Sequence, residues 1–426
     1  MTVDVLSPPA QAERQARTAV AVLFFTNGAL FANLLPRFPQ IKADLGIGNA
    51  AYGLAVAAFP TGAIVAGLAA GALIRRYGSG RVAVAGTVLT GIGVLAAGLS
   101  GSVVLFGTAL LLAGAMDAIT DVAQNAHGLR VQRRYGRSII NSFHAIWSIG
   151  AVTGGSMAAG AIALDLSLGQ HLLISAVVFG IAACVALRFC LTGPDTEPDT
   201  EPDAEAAKGE TNGEPNGGAA RETGAESREL APRRDEKLRK TRVRTGYVLA
   251  ALVLIAASGA LVEDAGSSWA ALYLSDSLHA SGTLAASGYI ALVGAQFVGR
   301  MIGDRLVDRF GQRAVARSGG VIAAVGMGLA LAVPTATGTI LGFATAGFGV
   351  ATLVPAAMHE ADELPGLKPG SGLTIVSWLM RLGFLLSPPI VGLVADSTSL
   401  RVGLLVVPLA GLMVMVLAGV LQPRRR

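Results

Sequence analysis

The sequence predicts an all-α membrane protein whose twelve transmembrane helices form two six-helix bundles. Three observations predict this fold: apolar stretches of roughly 20 residues fill most of the 426-residue chain, charged residues are scarce, and one long polar segment separates two halves with six stretches each. A bilayer core about 30 Å thick takes about 20 helical residues to cross. A helix also satisfies its own backbone hydrogen bonds, as hydrocarbon requires.

The composition supports a membrane protein and gives no sign of nucleic-acid binding. Charged residues make up 14% of the chain and hydrophobic residues 52%, whereas soluble proteins carry about 25% charged residues. The 55 glycines suit membrane helices that approach each other closely. The net charge of +5 comes largely from short loops, where basic residues set topology. We therefore expect the lipid bilayer as the surroundings and a monomer as the working unit.

The apolar stretches define the predicted domains. In the first half they cover residues 18–38, 50–73, 82–101, 103–127, 139–163 and 170–192. In the second half they cover residues 246–273, 283–303, 314–333, 336–358, 371–394 and 401–421. The N-terminal bundle is thus expected over 1–192 and the C-terminal bundle over 246–426.

The loops predict the orientation. Arginines concentrate in alternate loops and at the C-terminus: Arg75, Arg76, Arg81, Arg130, Arg133, Arg134, Arg137, Arg305, Arg309, Arg313 and Arg424 to Arg426. The intervening loops hold only Arg37, Lys42 and Arg401. Because basic loops stay in the cytoplasm, we expect a multi-pass protein of the cell (inner) membrane with both termini cytoplasmic.

Residues 193–245 are expected to form a disordered cytoplasmic linker. The segment opens with a proline- and acid-rich repeat that starts at Pro194, Pro198 and Pro202, and it ends with basic residues from Arg233 to Arg244. So little apolar surface cannot offset the entropy lost on ordering.

The two halves repeat a turn at equivalent places. Arg75-Arg76-Tyr77-Gly78 follows the second apolar stretch, and Asp308-Arg309-Phe310-Gly311 follows the eighth. Each contains a basic residue, an aromatic residue and a glycine in that order. A parallel repeat of six plus six helices predicts two bundles around a central cavity.

Both turns resemble the signature loop of the major facilitator superfamily, and the resemblance covers both halves outside the linker and the tails. The first copy departs from the pattern, because Arg75 stands where the superfamily usually has an aspartate. The resemblance implies conformational roles for these loop residues: Arg75, Arg76, Gly78, Asp304, Asp308, Arg309 and Gly311.

Three further stretches resemble a bacterial inner-membrane subgroup that is distantly similar to sugar (fucose) permeases. They are 121–127 with 135–138 and 142–145, then 263–274, and finally 383–389. This resemblance implies a transporter but no particular substrate.

Ionisable residues inside the apolar stretches are the candidate functional residues, because charge in a bilayer is costly and usually faces a cavity or a partner. Asp117 and Asp121 lie one turn apart on one face of the fourth stretch, which Gln124 and Asn125 continue. Such paired acids are typical of sites that take up and release protons. The alternative is a structural network with the fifth helix.

Further candidates lie on four other stretches: Asn27, His144, Glu263, Asp264 and Arg381. His144 could titrate near physiological pH. Adjacent Glu263 and Asp264 point about 100° apart on a helix, so only one of them is expected to face a cavity. Arg381 needs an anion, which could be Asp117, Asp121 or an anionic substrate.

These features predict a secondary active transporter that moves a small polar solute by alternating access, coupled to protons. A drug or metabolite efflux pump of the same fold is the first alternative, and a membrane receptor or scaffold in a transporter fold is the second. An enzyme is not expected, because the sequence has no metal-ligand cluster, nucleophile elbow or phosphate loop. We expect neither a cofactor nor a metal.

Overall fold

The computed structural model describes residues 11–135, 139–193, 226–364, 367–368 and 371–422, with only the backbone of Asn141 and of 226–244. In this part of the chain, twelve helices are long and apolar enough to cross a membrane. They are α1 Gln11–Leu45, α2 Asn49–Gly67, α3 Ser79–Gly98, α4 Val103–Tyr135, α5 Ser142–Ala163, α6 Leu168–Leu187, α7 Thr245–Ser277, α8 Gly282–Phe310, α9 Gln312–Ala332, α10 Ala336–Asp362, α11 Ser371–Ser397 and α12 Leu400–Val420. The predicted all-α membrane fold with twelve spans is confirmed.

Several helices are longer than hydropathy predicted. Helix α4 continues to Tyr135, eight residues past the predicted end at residue 127, and α8 continues to Phe310. The added turns contain arginine, leucine and glutamine, which have high helix propensity in water. Hydropathy detects only the part of a helix that lies in hydrocarbon.

The largest difference from expectation lies before α7. The helix that contains α7 begins at Glu226, so the backbone of 226–245 is helical where a disordered linker was expected. This stretch is rich in Glu, Arg, Lys and Leu, which have high helix propensity, and extending an existing helix needs no new nucleation. The rest of the expected linker, 194–225, lies outside the described residues.

Glycines let the helices within each bundle approach closely. A Cβ at Gly28 of α1 would collide with the carbonyl of Trp147 on α5, and one at Gly62 of α2 would collide with the carbonyl of Leu111 on α4. Gly347 of α10 meets the backbone of α8 at Leu292 in the same way. This backbone-to-backbone packing is the role that abundant glycine serves in membrane helices.

Both described ends of the chain lie on one side of the molecule, called the terminal side below. Near the N-terminus Arg17 donates a hydrogen bond to the hydroxyl of Tyr135 (3.2 Å) at the end of α4. Near the C-terminus the carbonyl of Gln422 accepts a hydrogen bond from the backbone N–H of Arg313 (3.2 Å). The opposite side carries the turns after α1, α3, α5, α7, α9 and α11.

The two repeated turns have the same backbone conformation and lie on the terminal side. Gly78 has φ 86° and ψ 144°, and Gly311 has φ 83° and ψ 154°. A positive φ of this kind favours glycine because it has no Cβ. The preceding arginine lies over the aromatic ring in each copy, with 5.2 Å from Arg76 to Tyr77 and 5.5 Å from Arg309 to Phe310.

The two bundles contact each other toward the opposite side. Helix α2 packs on α11, where Gly53 meets the carbonyl of Pro388, and α5 packs on α8, where a Cβ at Gly155 would lie 2.9 Å from the ring of Tyr289. At the rim, the Lys42 Nζ lies 3.0 Å from the Asp276 carboxylate. These contacts close the opposite side.

Candidate functional site

Asp117, at the middle of α4, is held by a hydrogen-bond network that joins three helices of the first bundle. The Nδ2 of Asn27 on α1 donates to the Asp117 Oδ1 at 2.7 Å. The Oδ1 of Asn27 accepts from the Trp147 Nε1 on α5 at 2.8 Å and from the Gln124 Nε2 at 3.4 Å. Asn27 is buried, with 6% of its surface exposed, so it positions Asp117 instead of facing an open cavity.

Asp121, one turn further along α4, is exposed. Its Oδ1 accepts hydrogen bonds from Asn125 Nδ2 (3.0 Å) and Gln124 Nε2 (3.5 Å). Asn125 also donates to the backbone carbonyl of Asp121 at 2.8 Å. The exposed His144 of α5 lies close enough to interact electrostatically with Asp121. The structure therefore places His144 of α5 beside Asp121 of α4.

In the second bundle, Glu263 of α7 is the centre of a polar group on α7 and α8. Its Oε2 accepts a hydrogen bond from the Gln296 Nε2 (2.6 Å) and lies 3.5 Å from the Arg300 Nη2. The exposed Arg300 also interacts electrostatically with His144 of the first bundle. This second contact brings residues of both bundles to the same gap.

Glu263 and Asp264 point to different neighbours, as their spacing predicted. The Oδ1 of Asp264 accepts a hydrogen bond from the Ser268 Oγ at 3.4 Å, and Ser387 of α11 lies beside the same carboxyl. Its Oδ2 is buried without a hydrogen-bond partner among the described residues. Asp264 thus lies at the contact of α7 with α11, and Glu263 takes the position beside α8.

Arg381 of α11 is half-buried and interacts electrostatically with Asp121 across the space between the bundles. Within the described ranges its guanidinium makes no hydrogen bond or ion pair. Arg381 and Asp121 thus interact across the gap without a hydrogen bond or ion pair, and the expectation that Arg381 pairs with an acid of α4 or binds an anionic substrate stays a prediction.

These residues surround a space that is closed on one side. Asp121, His144 and Arg300 are exposed although each lies within a membrane-spanning helix. Asp121 interacts with Arg381 of the other bundle, and His144 of the first bundle interacts with Arg300 of the second. The exposed surfaces of these side chains therefore face the gap between the bundles. Because the bundles touch toward the opposite side, we interpret this gap as a cavity that leads to the terminal side.

The predicted loop residues lie away from this cavity. Arg75, Arg76, Asp304, Asp308 and Arg309 are exposed on the terminal side. Their glycines, Gly78 and Gly311, set the turns themselves.

Three residues of the site were not candidates in the sequence analysis. Gln296 and Arg300 lie four residues apart on α8, and this spacing inside an apolar span could have identified them. Trp147 follows His144 by three residues, but an indole at that place looks like ordinary core packing. Only the fold shows that its N–H meets Asn27.

Comparison with known proteins identifies the family. The model of the Major Facilitator Superfamily matches residues 20–366 and 264–426. The uncharacterized transporter y4wD of Sinorhizobium fredii is 28% identical over 403 residues, which cover 95% of this chain and 97% of that protein. The membrane protein MosC of Rhizobium meliloti is 26% identical over 397 residues, covering 93% and 88% respectively.

Solved structures share the fold at low sequence identity. The nucleoside transporter NupG (D323A mutant) matches with a TM-score of 0.71 at 11% identity, covering 96% of this chain and 100% of that one. A D-xylose-proton symporter matches with a TM-score of 0.65 at 16% identity, covering 95% and 96%. Because the family model matches more than half of the sequence, the chain belongs to the Major Facilitator Superfamily, whose members are membrane transporters that bind small molecules and are not enzymes.

Proposed function

We propose that the protein is a secondary active transporter that moves a small polar solute across the bacterial inner membrane by alternating access, with protons carried by Asp117 and Asp121. The observation that supports the proposal is the gap between the bundles, which is closed on the opposite side and which Asp121 of α4 faces together with His144, Arg300 and Arg381. A structural network alone would not need Asp121, His144 and Arg300 to be exposed inside spans.

The terminal side is proposed to face the cytoplasm. The arginine-rich loops lie on this side, and basic loops remain cytoplasmic in bacterial membrane proteins. In this orientation the cavity opens inward, and the contacts of α2 with α11 and of α5 with α8 form the outer barrier.

Proton coupling follows from the cost of charge in a closed site. While the cavity is open, water solvates the ionised carboxylate of Asp121. When the cavity is enclosed, an unpaired carboxylate costs several kcal/mol, and uptake of a proton removes this cost. Asp117, whose Oδ1 accepts a hydrogen bond from Asn27, interacts electrostatically with Asp121, so proton uptake by one acid affects the other.

The polar lining favours a polar solute. Amide, imidazole, guanidinium and carboxyl groups project toward one space, and such groups recognise hydrogen-bonding solutes. The names of the neighbours agree in kind, since one is a nucleoside transporter and another a D-xylose-proton symporter. The two glycine turns are proposed to change their contacts as the bundles rock.

The test is solute-driven proton movement in liposomes that contain the purified full-length protein and a trapped pH-sensitive dye. Neutral and acidic sugars, nucleosides and organic acids are added outside. We expect a pH change with a transported solute, and its loss in Asp117→Asn and Asp121→Asn. Asp165→Asn is the matched control, because this exposed acid lies on the opposite side and asparagine tolerates its positive φ.

Full coupling in both α4 variants would remove these acids from the mechanism. A loss of coupling in Asp165→Asn as well would mean that the substitutions act through general damage instead of through the proposed site.

A further inference from the structure

We infer that the solute carries an anionic group, a carboxylate or a phosphate, and that Arg381 binds this group. The inference deepens the proposed function and rests on it for the existence of a transported solute. The binding site itself is argued from the position, burial and partners of Arg381.

The first argument is the state of Arg381. Its guanidinium lies within a spanning helix, is half-buried, and makes no hydrogen bond or ion pair within the described part of the chain. A guanidinium has five N–H donors in a fixed fork and cannot give up its charge in a protein. A charge placed at this depth requires a counter-charge.

The second argument is that Glu263, Asp117 and Asp121 all have other partners, while Asp264, whose Oδ2 has no hydrogen-bond partner among the described residues, is buried at the contact of α7 with α11. Glu263 interacts with Gln296 and Arg300 on its own side of the cavity. Asp117 is bonded to Asn27. Asp121 alone interacts electrostatically with Arg381, but it lies on the other bundle and its Oδ1 accepts from two amides.

The third argument concerns the side chains that face the same gap as Arg381. Arg300 and His144 approach the same gap from α8 and α5 and interact with each other electrostatically. Two guanidinium groups and an imidazole therefore approach this gap, and the acid that interacts electrostatically with Arg381 is Asp121. A neutral solute could bond these groups, but it would leave the charge of Arg381 without a close counter-charge, whereas Arg300 is paired with Glu263.

An anionic group fits this space because carboxylates and phosphates match the fork of a guanidinium and form two parallel hydrogen bonds. Such a ligand would replace Asp121 as the counter-ion of Arg381. Solute and Asp121 then compete for Arg381, which makes the effect of each substitution predictable.

The experiment uses matched probes and the purified full-length protein in nanodiscs. One series is glucose, glucuronate and glucose 6-phosphate; the other is glycerol, glycerate and glycerol 3-phosphate. Each series holds a neutral, a carboxylate and a phosphate member, so the response identifies which anionic group is bound. Binding is read from the rise in the unfolding temperature with ligand concentration.

We expect at least one acidic member to bind more tightly than its neutral partner. Arg381→Gln should weaken that binding at least about tenfold, which is the effect of losing a hydrogen bond to a charged group, and Arg381→Lys should weaken it less. Asp121→Asn should tighten it several-fold, because a competitor for Arg381 is removed. Arg188→Gln, an exposed arginine at the end of α6, should change nothing.

Equal binding of the three members in both series would overturn the inference, as would an acid preference that survives in Arg381→Gln. If Arg381→Gln fails to fold, weaker binding in Arg381→Lys with tighter binding in Asp121→Asn supports the inference, and no change in either contradicts it. Binding of a carboxylate or phosphate probe without proton-coupled transport would contradict the proposed function and leave this inference standing. Proton-coupled transport of a neutral solute with no acid preference would sink only this inference.

Discussion

Asp396 at the end of α11 caps the N-terminus of α2 in the other bundle, beginning with the backbone N–H of Asn49. Asn49 N donates to the Asp396 Oδ1 at 2.9 Å, and Ala50 N donates to the Oδ2 at 2.8 Å. The residue that precedes α2 is Gly48, which has no side chain to cap the helix. An acid of one bundle therefore completes a helix of the other, and separation of the bundles at the opposite side would break these bonds.

Removing this cap should open the opposite side. A helix cap contributes about 1 kcal/mol, so we expect Asp396→Ala to destabilise the state with the opposite side closed by this amount. The population with the opposite side open should then rise roughly fivefold. Spin labels across the opposite mouth measure that population. Asp276→Asn is the control: it breaks the partly exposed ion pair with Lys42, which is worth less. An equal or larger effect of Asp276→Asn would contradict the role given to Asp396.

Asn27 should act as a positioning residue for Asp117. We expect Asn27→Ala to reduce proton coupling as strongly as Asp117→Asn, because the carboxyl loses its 2.7 Å partner. Trp147→Phe, which removes only the donor to Asn27, should have a smaller effect in the same liposome assay. Full coupling in Asn27→Ala would show that Asp117 needs no support from α1.

Gly62 should be intolerant of a side chain. A valine there must displace the backbone of α4 at Leu111, whereas Gly67, five residues later in α2, has no atom within 4 Å of an added Cβ. We expect Gly62→Val to destabilise the fold by about 1–3 kcal/mol, the usual range for overpacking, and Gly67→Val to be close to neutral. Thermal unfolding in detergent compares the two, and equal stability would be inconsistent with the close approach of α2 and α4.

Deleting residues 195–222 should leave transport intact, because the cavity is built entirely from the twelve spanning helices. The deletion leaves the helix that begins at Glu226 in place. A receptor or scaffold that signals through this segment would lose its function in the same variant. Uptake that falls to background, with normal expression and unfolding temperature, would favour the scaffold.

The span count could be read from the sequence because bilayer thickness fixes the length of an apolar helix. The glycine turns could be read because the repeat places Gly78 and Gly311 at equivalent positions, and both have φ near 85°. The start at Glu226 of the helix that contains α7 could not be predicted, because hydropathy detects only the apolar part of a helix.

The placement of Asp117 and Asp121 on one face of α4 could also be predicted, because they are one helical turn apart. The position of His144 beside Asp121 could not, because it depends on how α5 packs on α4. The cap from Asp396 could not be predicted. An exposed acid at a helix end is unremarkable in sequence, and its partner lies 346 residues away. Contacts between bundles depend on how the halves dock, which no local pattern encodes.

Distances measured on both sides of the same molecule test the central claim most directly. Spin labels at Gly101 and Val333 report the opposite side, and labels at Arg81 and Arg317 report the terminal side; all four positions are exposed. In a variant with Cys184 and Cys190 changed to serine, we predict that acidic pH changes the two distances in opposite directions. We predict no such response in the Asp117→Asn, Asp121→Asn double variant. Two distances that stay fixed at every pH, or that widen together, would contradict a proton-linked cavity that opens alternately to each side.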